Sequence, residues 1–481
     1  MVKMSDQMSG LKKPLCIDLD GTLIRTDMLW ESLIALIRIQ PIALLLLPLW
    51  LLRGKAYFKQ QLAKRVIIDV SLLPYRESLL TYIRQESEKG REIVLATATH
   101  HTAAQQVADF LDCFDRVVAT DDGSNLSGEN KARVLIDLYG EGGYEYAGNA
   151  TADLKVWKYA GAATVVTSSV AFLRRVKSVV KVKKALVEKG TLCSALFREV
   201  RPHQWVKNLL VFVPLIAAHQ IGDLALLGQA VLAFVAFSLC ASSVYLFNDL
   251  IDMESDRAHS RKCGRPFASG ELAIPAGLGF VVVLFLASGA VALLLPVKFQ
   301  MALLAYYLLS VLYSLTLKSR LLVDVFCLAM LYTFRVVAGG FAVGVVLSHW
   351  LLAFSMFLFL SLAFIKRYAE LLEMEKQGKL SAKGRDYVPS DMNHLAIQGV
   401  GSGYLASLIL ALYVSSGDVI GLYHHYDFLW ALPPLYLYWI NRLWMVTQRG
   451  EMHYDPVVFA IRDKISYFVL FIGALAMWLA I

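Results

Sequence analysis

Four oxygen-bearing side chains close an apolar run of this chain. In YLFNDLIDMESDRAHSRKCGRPFASG, Tyr245–Gly270, residues Asn248, Asp252 and Asp256 recur at i, i+4 and i+8, and Asp249 precedes Asp252 by one turn. On a helix these groups share one face. Oxygen ligands at that spacing suit Mg2+, which keeps several waters and bridges to substrate phosphates. Lys262 and Arg265 follow and can contact phosphate oxygens. Carboxylate, metal and cation together describe a diphosphate site centred on Asp249 and Asp252. The plainer alternative is a solvated helix end, but carboxylates at a membrane lip are costly and usually functional.

Other groups could serve the same chemistry. Arg335 lies inside an apolar segment, with Asp324 eleven residues earlier on nearly the same helix face. An arginine in a membrane segment marks either a functional site or a structural ion pair. The loop KRYAELLEMEKQGKLSAKGRDYVPSD carries Lys366 and Glu370 at i, i+4, and Arg367, Arg385 and Tyr387 add donors. Such cations would hold a polyanionic sugar phosphate; a charged loop without a ligand is the alternative. Near the start, CIDLDGTLIRTD places Asp18 and Asp20 just after an apolar strand.

The elements that must position these residues fall into two halves. The chain has 481 residues, is 57% apolar and 18% charged, and has a net charge of +8. That composition is too apolar for an ordinary soluble globule. The cations sit in short loops, which favours a membrane orientation signal over nucleic-acid binding. The six cysteines are scattered with no C-x-x-C, so neither a zinc site nor a disulfide scaffold is suggested. Residues 1–175 read as soluble α/β, with the strands PLCIDLD, EIVLATAT, RVVATD, YEYAGNA and ATVVTSS alternating with helices as in a parallel, doubly wound sheet. Within it, residues 28–65 are very apolar but broken by Pro41 and Pro48. They read as cap helices on the bilayer surface or as a buried core hairpin. Residues 176–198 read as a basic linker, either along an anionic leaflet or as a solvated helix.

From residue 199 onward the chain reads as an all-α polytopic membrane domain. Nine apolar runs are expected to span: 207–221, 225–248, 273–296, 299–317, 321–344, 349–366, 396–416, 427–446 and 465–481. Cations crowd alternate loops, for example Arg257, Arg261, Lys262 and Arg265, then Lys318 and Arg320, then Lys366 through Lys376, Lys379, Lys383 and Arg385. The opposite loops have almost none beyond Lys298. The positive-inside rule puts the charged loops and the N-terminal half in the cytoplasm, at the inner membrane. The start has no signal-peptide apolar core, in keeping with a cytoplasmic N-terminus. Nine spans would leave the C-terminus outside.

The segment NDLIDMESD, followed by RPFASG, resembles the N-D-x-x-D-x-x-x-D signature of the UbiA prenyltransferase superfamily, over about residues 199–481. RPHQWVKNLLVFVPL, DRAHSRKCGRP, VDVFCLAMLYTFRVVAGG and KRYAEL are similar to the branch containing decaprenyl-phosphate phosphoribosyltransferase. His259, Lys262, Arg265 and Pro266 match, and Ser260 stands where that branch has Pro. The resemblance implies Mg2+ on Asn248, Asp249, Asp252 and Asp256, and makes Lys207, Asn208, Lys262, Arg265, Asp324, Arg335, Lys366, Arg367, Glu370, Arg385 and Tyr387 candidates for substrate binding. It also implies transfer of 5-phosphoribosyl from phosphoribosyl diphosphate to a polyprenyl phosphate lipid. An aromatic prenyltransferase is the alternative enzyme, although no clean second D-x-x-x-D appears. A non-catalytic lipid-binding membrane protein is a further alternative, and the oligomeric state stays open.

CIDLDGTLIRTD resembles the D-x-D-G-T signature of the haloacid dehalogenase (HAD) phosphatase superfamily, with further motifs in order over residues 12–165. The resemblance implies a Rossmann-like fold with Asp18 as nucleophile and Asp20 as general acid and base. Thr97 would hold phosphate, Lys131 would balance charge, and Asp153 would join Asp18 and Asp20 in holding Mg2+. Asn149 departs from the G-D that often opens the last motif. A catalytically inactive domain is the alternative. If active, the domain could remove the 5-phosphate from the lipid-linked product.

Overall fold

The computed structural model describes residues 12–121, 125–188, 192–259, 261–378, 385–420, 423–452 and 455–481. The extreme N-terminus, Ser260, Lys379 and Lys383, all used in the sequence reading, lie outside the described residues. Two compact units make up the chain, Met1–Glu199 with Asp249–Gly279, and Val200–Asn248 with Phe280–Ile481.

The first unit is built on a parallel six-stranded sheet of order β3-β2-β1-β4-β5-β6. The strands are β1 (Leu15–Ile17), β2 (Ile93–His100), β3 (Arg116–Thr120), β4 (Glu145–Gly148), β5 (Ala162–Thr167) and β6 (Val182–Val187). Side chains alternate between two cores, Leu15, Ile17, Ile93 and Leu95 on one face and Cys16, Val94 and Ala96 on the other. Both faces are covered, which is why these strands read as continuous apolar runs. The strand order reverses between β1 and β4, and the carboxyl ends of strands at such a switch point form a crevice. Asp18 directly follows β1 there.

The sixth strand corrects the sequence reading. Val182–Val187, expected to lie in a linker, pairs parallel with β5, and Leu192–Val200 is helical. Lys183 and Lys184 masked it, because lysines on an edge strand keep it from pairing further and look like a solvated segment.

The cap also differs from one of its two readings. Asp27 caps the helix Met28–Ile39 by accepting from the amides of Leu29 and Trp30. The chain then runs through Pro41–Leu46, Leu47–Leu52 and Lys55–Arg65. Leu36, Ala43, Trp50, Phe58, Leu62 and Val66 form a small core of their own. Ile39, Ile42, Leu45, Leu46, Leu49, Leu51 and Leu52 are exposed, so the run is not a buried core hairpin.

Among the described residues, six helices are long and apolar enough to cross a membrane, not nine. They are Leu224–Ile251, Ile274–Ala292, Val297–Leu315, Val323–Val343, His349–Lys376 and Pro389–Val414. The chain is a multi-pass membrane protein. The other three expected spans are shorter. Pro202–Phe212 is a tight 3-10 helix followed only by Val213–Ala217, and Leu432–Gln448 and Lys464–Ala480 have 17 residues each. At a rise of about 1.5 Å per residue, 17 residues reach ~25 Å, short of the ~30 Å hydrocarbon core. Prolines open two of these segments and shorten their regular helix. The parity that put the C-terminus outside does not follow from six spans. Of these six, Val323–Val343 is the most enclosed. A Cβ on its Gly339 would lie 2.1 Å from the Val211 carbonyl, so only glycine admits the Pro202–Phe212 segment this close.

Candidate active sites

In the first unit the D-L-D-G-T loop is shaped by one residue. Gly21 has φ +68°, and a Cβ there would come within 2.4 Å of the Asn149 amide. The turn returns the chain so that the Met28 amide donates to Asp20 Oδ1 at 2.8 Å. Lys131 Nζ, buried, donates to Asp18 Oδ1 and to the Tyr146 hydroxyl, both at 2.8 Å. Tyr146 in turn donates to Asp153 Oδ1 at 3.0 Å. Asp153 Oδ2 accepts from the amides of Asn149 and Ala150 at 2.9 and 2.8 Å. Asp18, Lys131 and Asp153 are thus brought together by one relay. Burial pushes the Asp18 carboxyl up to about 7, against the pull of Lys131 and with the help of Asp153 and Asp20. Burial and then the Asp27 charge raise Asp20 to about 6. Two buried carboxylates that resist ionisation suit a divalent cation, which stabilises their charged forms.

Two residues were missed. Thr97 is fully buried and accepts from the Thr99 amide; Thr99 Oγ1, two residues on, is the hydroxyl that reaches Asp20 Oδ2 at 2.7 Å. The T-A-T alternation on a strand puts both hydroxyls on one face, so the signal was present. Lys59 of the cap donates to the Ala98 carbonyl at 2.7 Å and to Asn125 Oδ1 at 3.0 Å. Burial lowers its pKa, against the pull of Asp20 and Asp27. No motif announced it.

The acidic segment is not one continuous helix. Leu224–Ile251 ends, Asp252 stands at the break, and Met253–Arg257 resumes. Asp249 and Asp256 are buried, whereas Asn248 and Asp252 are half-buried. Arg265 Nη1 lies 3.0 Å from Asp249 Oδ1 and 2.6 Å from Asp256 Oδ2. Burial raises Asp256 to about 6, partly offset by Arg265 and reinforced by Asp249. Two carboxylates converging on one cationic atom are a donor set that fits a small hard cation. Among the described residues no three His, Cys, Asp or Glu side chains gather as a ready metal-holding group. Lys262 is half-buried in the same segment.

The polar interior of the second unit groups the remaining residues differently from the sequence reading. Arg335 does not pair with Asp324. Its Nε donates to Asn208 Oδ1 at 2.9 Å, Nη1 to the Leu331 carbonyl at 2.6 Å and Nη2 to the Tyr306 hydroxyl at 2.9 Å. Asn208 also donates to Ser238 Oγ at 3.0 Å. Asp324 instead takes Arg367 and the Tyr387 hydroxyl. Glu370 takes Arg367 and Arg385 rather than Lys366. Lys366 and Lys207 both approach Asp455 Oδ2, at 3.4 and 2.8 Å. Sequence reasoning missed Asp455. Its signal is an N-cap aspartate before a proline, for it accepts from the Val457 amide at the start of Pro456–Arg462. Burial opposes its ionisation, but Lys207 and Lys366 outweigh that and hold its carboxyl below the usual range.

The comparisons with known proteins bear on both halves. The chain is 35% identical over 461 residues to the uncharacterized protein y4nM of Sinorhizobium fredii, covering 95% of this chain and 89% of that one. Over 195 residues it is 37% identical to a decaprenyl-phosphate phosphoribosyltransferase of Mycobacterium tuberculosis, covering 39% of this chain and 64% of that enzyme. Among solved structures, a UbiA homolog from Archaeoglobus fulgidus bound to GPP and Mg2+ aligns at TM-score 0.46 and 18% identity over 60% of this chain and 100% of that one. A HAD family hydrolase from Salmonella enterica serovar Typhi aligns at TM-score 0.28 and 15% identity over 36% of this chain and 68% of that one. Residues 209–453, which carry the acidic segment, Arg335 and Lys366, match the UbiA prenyltransferase family, and the chain belongs to it.

Proposed function

We propose that the chain transfers 5-phosphoribosyl from phosphoribosyl diphosphate to a polyprenyl phosphate, and that its N-terminal domain hydrolyses the 5-phosphate of that product. The observation that carries the transferase reading is that Lys207 and Lys366 share the one carboxylate of Asp455. Two ammonium groups on one acid leave positive charge in the helical interior, which suits a phosphate better than a neutral aromatic ring. Arg367 pairs with Asp324 and Glu370, and Arg385 pairs with Glu370, so two guanidiniums balance these two carboxylates and they are not offered as a second acidic pair. The partial identity to a phosphoribosyltransferase supports the same substrate class.

Asn248, Asp249, Asp252 and Asp256 would hold Mg2+ in the transferase, and Asp18, Asp20 and Asp153 in the phosphatase; when bound it neutralises phosphate charge. The lipid phosphate is already anionic at neutral pH. Its oxygen bonds to the anomeric carbon as the bond to diphosphate breaks, so no general base is needed. Lys262 and Arg265 hold the diphosphate, and Lys207 and Lys366 orient phosphate oxygens, so that positioning and electrostatics supply the rate. In the N-terminal domain, Lys131 orients Asp18, whose oxygen attacks the phosphorus. Asp20 protonates the departing ribose oxygen and then takes a proton from the water that hydrolyses the aspartyl-phosphate. The cation-rich loops argue that both reactions face the cytoplasm.

Membranes carrying the full chain test this with two substrate pairs, labelled phosphoribosyl diphosphate with polyprenyl phosphate, and a prenyl diphosphate with an aromatic acid. Lipid-linked label from the first pair, lost in Asp249→Asn and accumulating as the 5-phosphate in Asp18→Asn, is the expected result. A prenylated aromatic product, or no lipid-linked label, overturns the transferase reading. Equal phosphorylated product with and without Asp18 overturns the phosphatase reading.

A further inference from the structure

The cap of the N-terminal domain has an apolar face that its own core does not use. Ile42, Leu45 and Leu52 are 80%, 78% and 84% exposed, and Ile39, Leu46 and Leu49 are exposed with them. Six large aliphatics outside a core that is already complete form a patch of the kind that marks an interaction surface. The segment Pro41–Leu52 is too short to span a bilayer, and prolines open both of its helical pieces. Arg53 and Lys55 follow it, both exposed. Cations beside a short apolar helix match the headgroup region of a leaflet with anionic lipids.

What covers this face follows from where it is anchored. The helix Met28–Ile39, which leads into it, is bonded to the chain just past the end of the membrane helix Leu224–Ile251. Glu31 pairs with Arg257, and Arg38 pairs with Glu254. Ile34, Ala35 and Ile67 line one cleft with Leu250 and Ile251, the last two residues of that helix. The helix that leads into Pro41–Leu52 is thus fastened where a spanning helix ends, which puts a leaflet surface within reach of the exposed aliphatics.

We propose that Pro41–Leu52 lies in the boundary between headgroups and acyl chains of the bilayer that the chain's own helices cross, and so holds the N-terminal active site at the lipid surface. This does not depend on which substrates either domain takes. The full chain is reconstituted in nanodiscs containing anionic lipid, with a nitroxide at Ile42, Leu45 or Leu49 and, as a control, at the exposed Glu88. The exposed thiols Cys193 and Cys263 are first replaced by serine. The expected result is collisions with dissolved oxygen but loss of collisions with a water-soluble nickel chelate at the three cap sites, and the reverse at Glu88. Leu45→Asp with Leu49→Asp should return the Ile42 label to water. Nickel collisions at the cap equal to those at Glu88, or an Ile42 label unmoved by the double substitution, overturn the proposal.

Discussion

Glu31 and Arg257 stand 226 positions apart and meet in a bidentate ion pair, at 2.6 and 3.1 Å, with each side chain only 7% exposed. Arg257 Nε also donates to the Ala268 carbonyl at 2.9 Å. One guanidinium therefore fastens the cap helix, the residue after Asp256 and the RPFASG turn. Gly270 at the end of that turn has φ +72°, and a Cβ there would meet Arg25 Cβ at 2.5 Å. The N-terminal domain thus clasps the acidic segment at two points.

Glu31→Gln keeps the size of the side chain but leaves Arg257 buried without a counter-charge. Removing one partner of a buried pair costs on the order of 3–5 kcal/mol, whereas replacing both by apolar groups of similar volume is often neutral. The single variant should lower the melting temperature of the full chain in nanodiscs, and Glu31→Leu with Arg257→Met should restore most of it. A single variant that melts like the parent would show that the pair supports nothing.

Thr99→Val removes the hydroxyl from Asp20 Oδ2 without changing the shape of the strand. A hydrogen bond to a charged group is worth about 1.5–3 kcal/mol, so phosphate hydrolysis should fall roughly ten- to a hundredfold. Thr97→Val should instead act mainly on the turn made by the Thr99 amide. Steady-state kinetics on a soluble phosphomonoester separates them, and a larger loss in kcat at position 97 than at 99 would reverse the assignment.

The contrast between these residues shows what a sequence carries. D-L-D-G-T was legible because its features are local: a strand, two carboxylates two apart, and a glycine at the one positive-φ position. Five strands and six spans were legible because their periods are local too. Pairing across the chain was not. Arg335 and Asp324 share a helix, yet Asn208 takes the arginine and Arg367 takes the acid, because neighbouring segments packed on Val323–Val343 offer closer partners than the helix itself. Asp455 joins Lys207 and Lys366 from three distant segments, and no spacing encodes such a meeting.

Asp455→Asn leaves those two ammonium groups without their carboxylate. The carboxyl is held below its usual range, so its stabilising contribution is complete above about pH 4 and disappears only as pH falls through the depressed value. The parent and Asp455→Asn should therefore differ in melting temperature by the same margin at pH 7 and pH 5, and converge only in stronger acid. A gap that closes between pH 7 and pH 5 would mean that the lysines do not hold the charge.

Arg265 Nη1 occupies the point on which Asp249 and Asp256 converge, so a divalent cation and this guanidinium compete for the same oxygens. Arg265→Gln removes the competitor and leaves two buried like charges that favour a cation. Mn2+, read by electron paramagnetic resonance as a stand-in for Mg2+, should bind the variant about tenfold more tightly, a difference near 1.4 kcal/mol. Transferase turnover should nevertheless fall, because the diphosphate loses a forked donor. Arg265→Lys keeps the charge without the fork and should show parental metal affinity with reduced turnover. Equal Mn2+ affinity in the parent and Arg265→Gln would mean that the guanidinium does not stand in the metal's place, and the two carboxylates would then be a structural anchor for the loop.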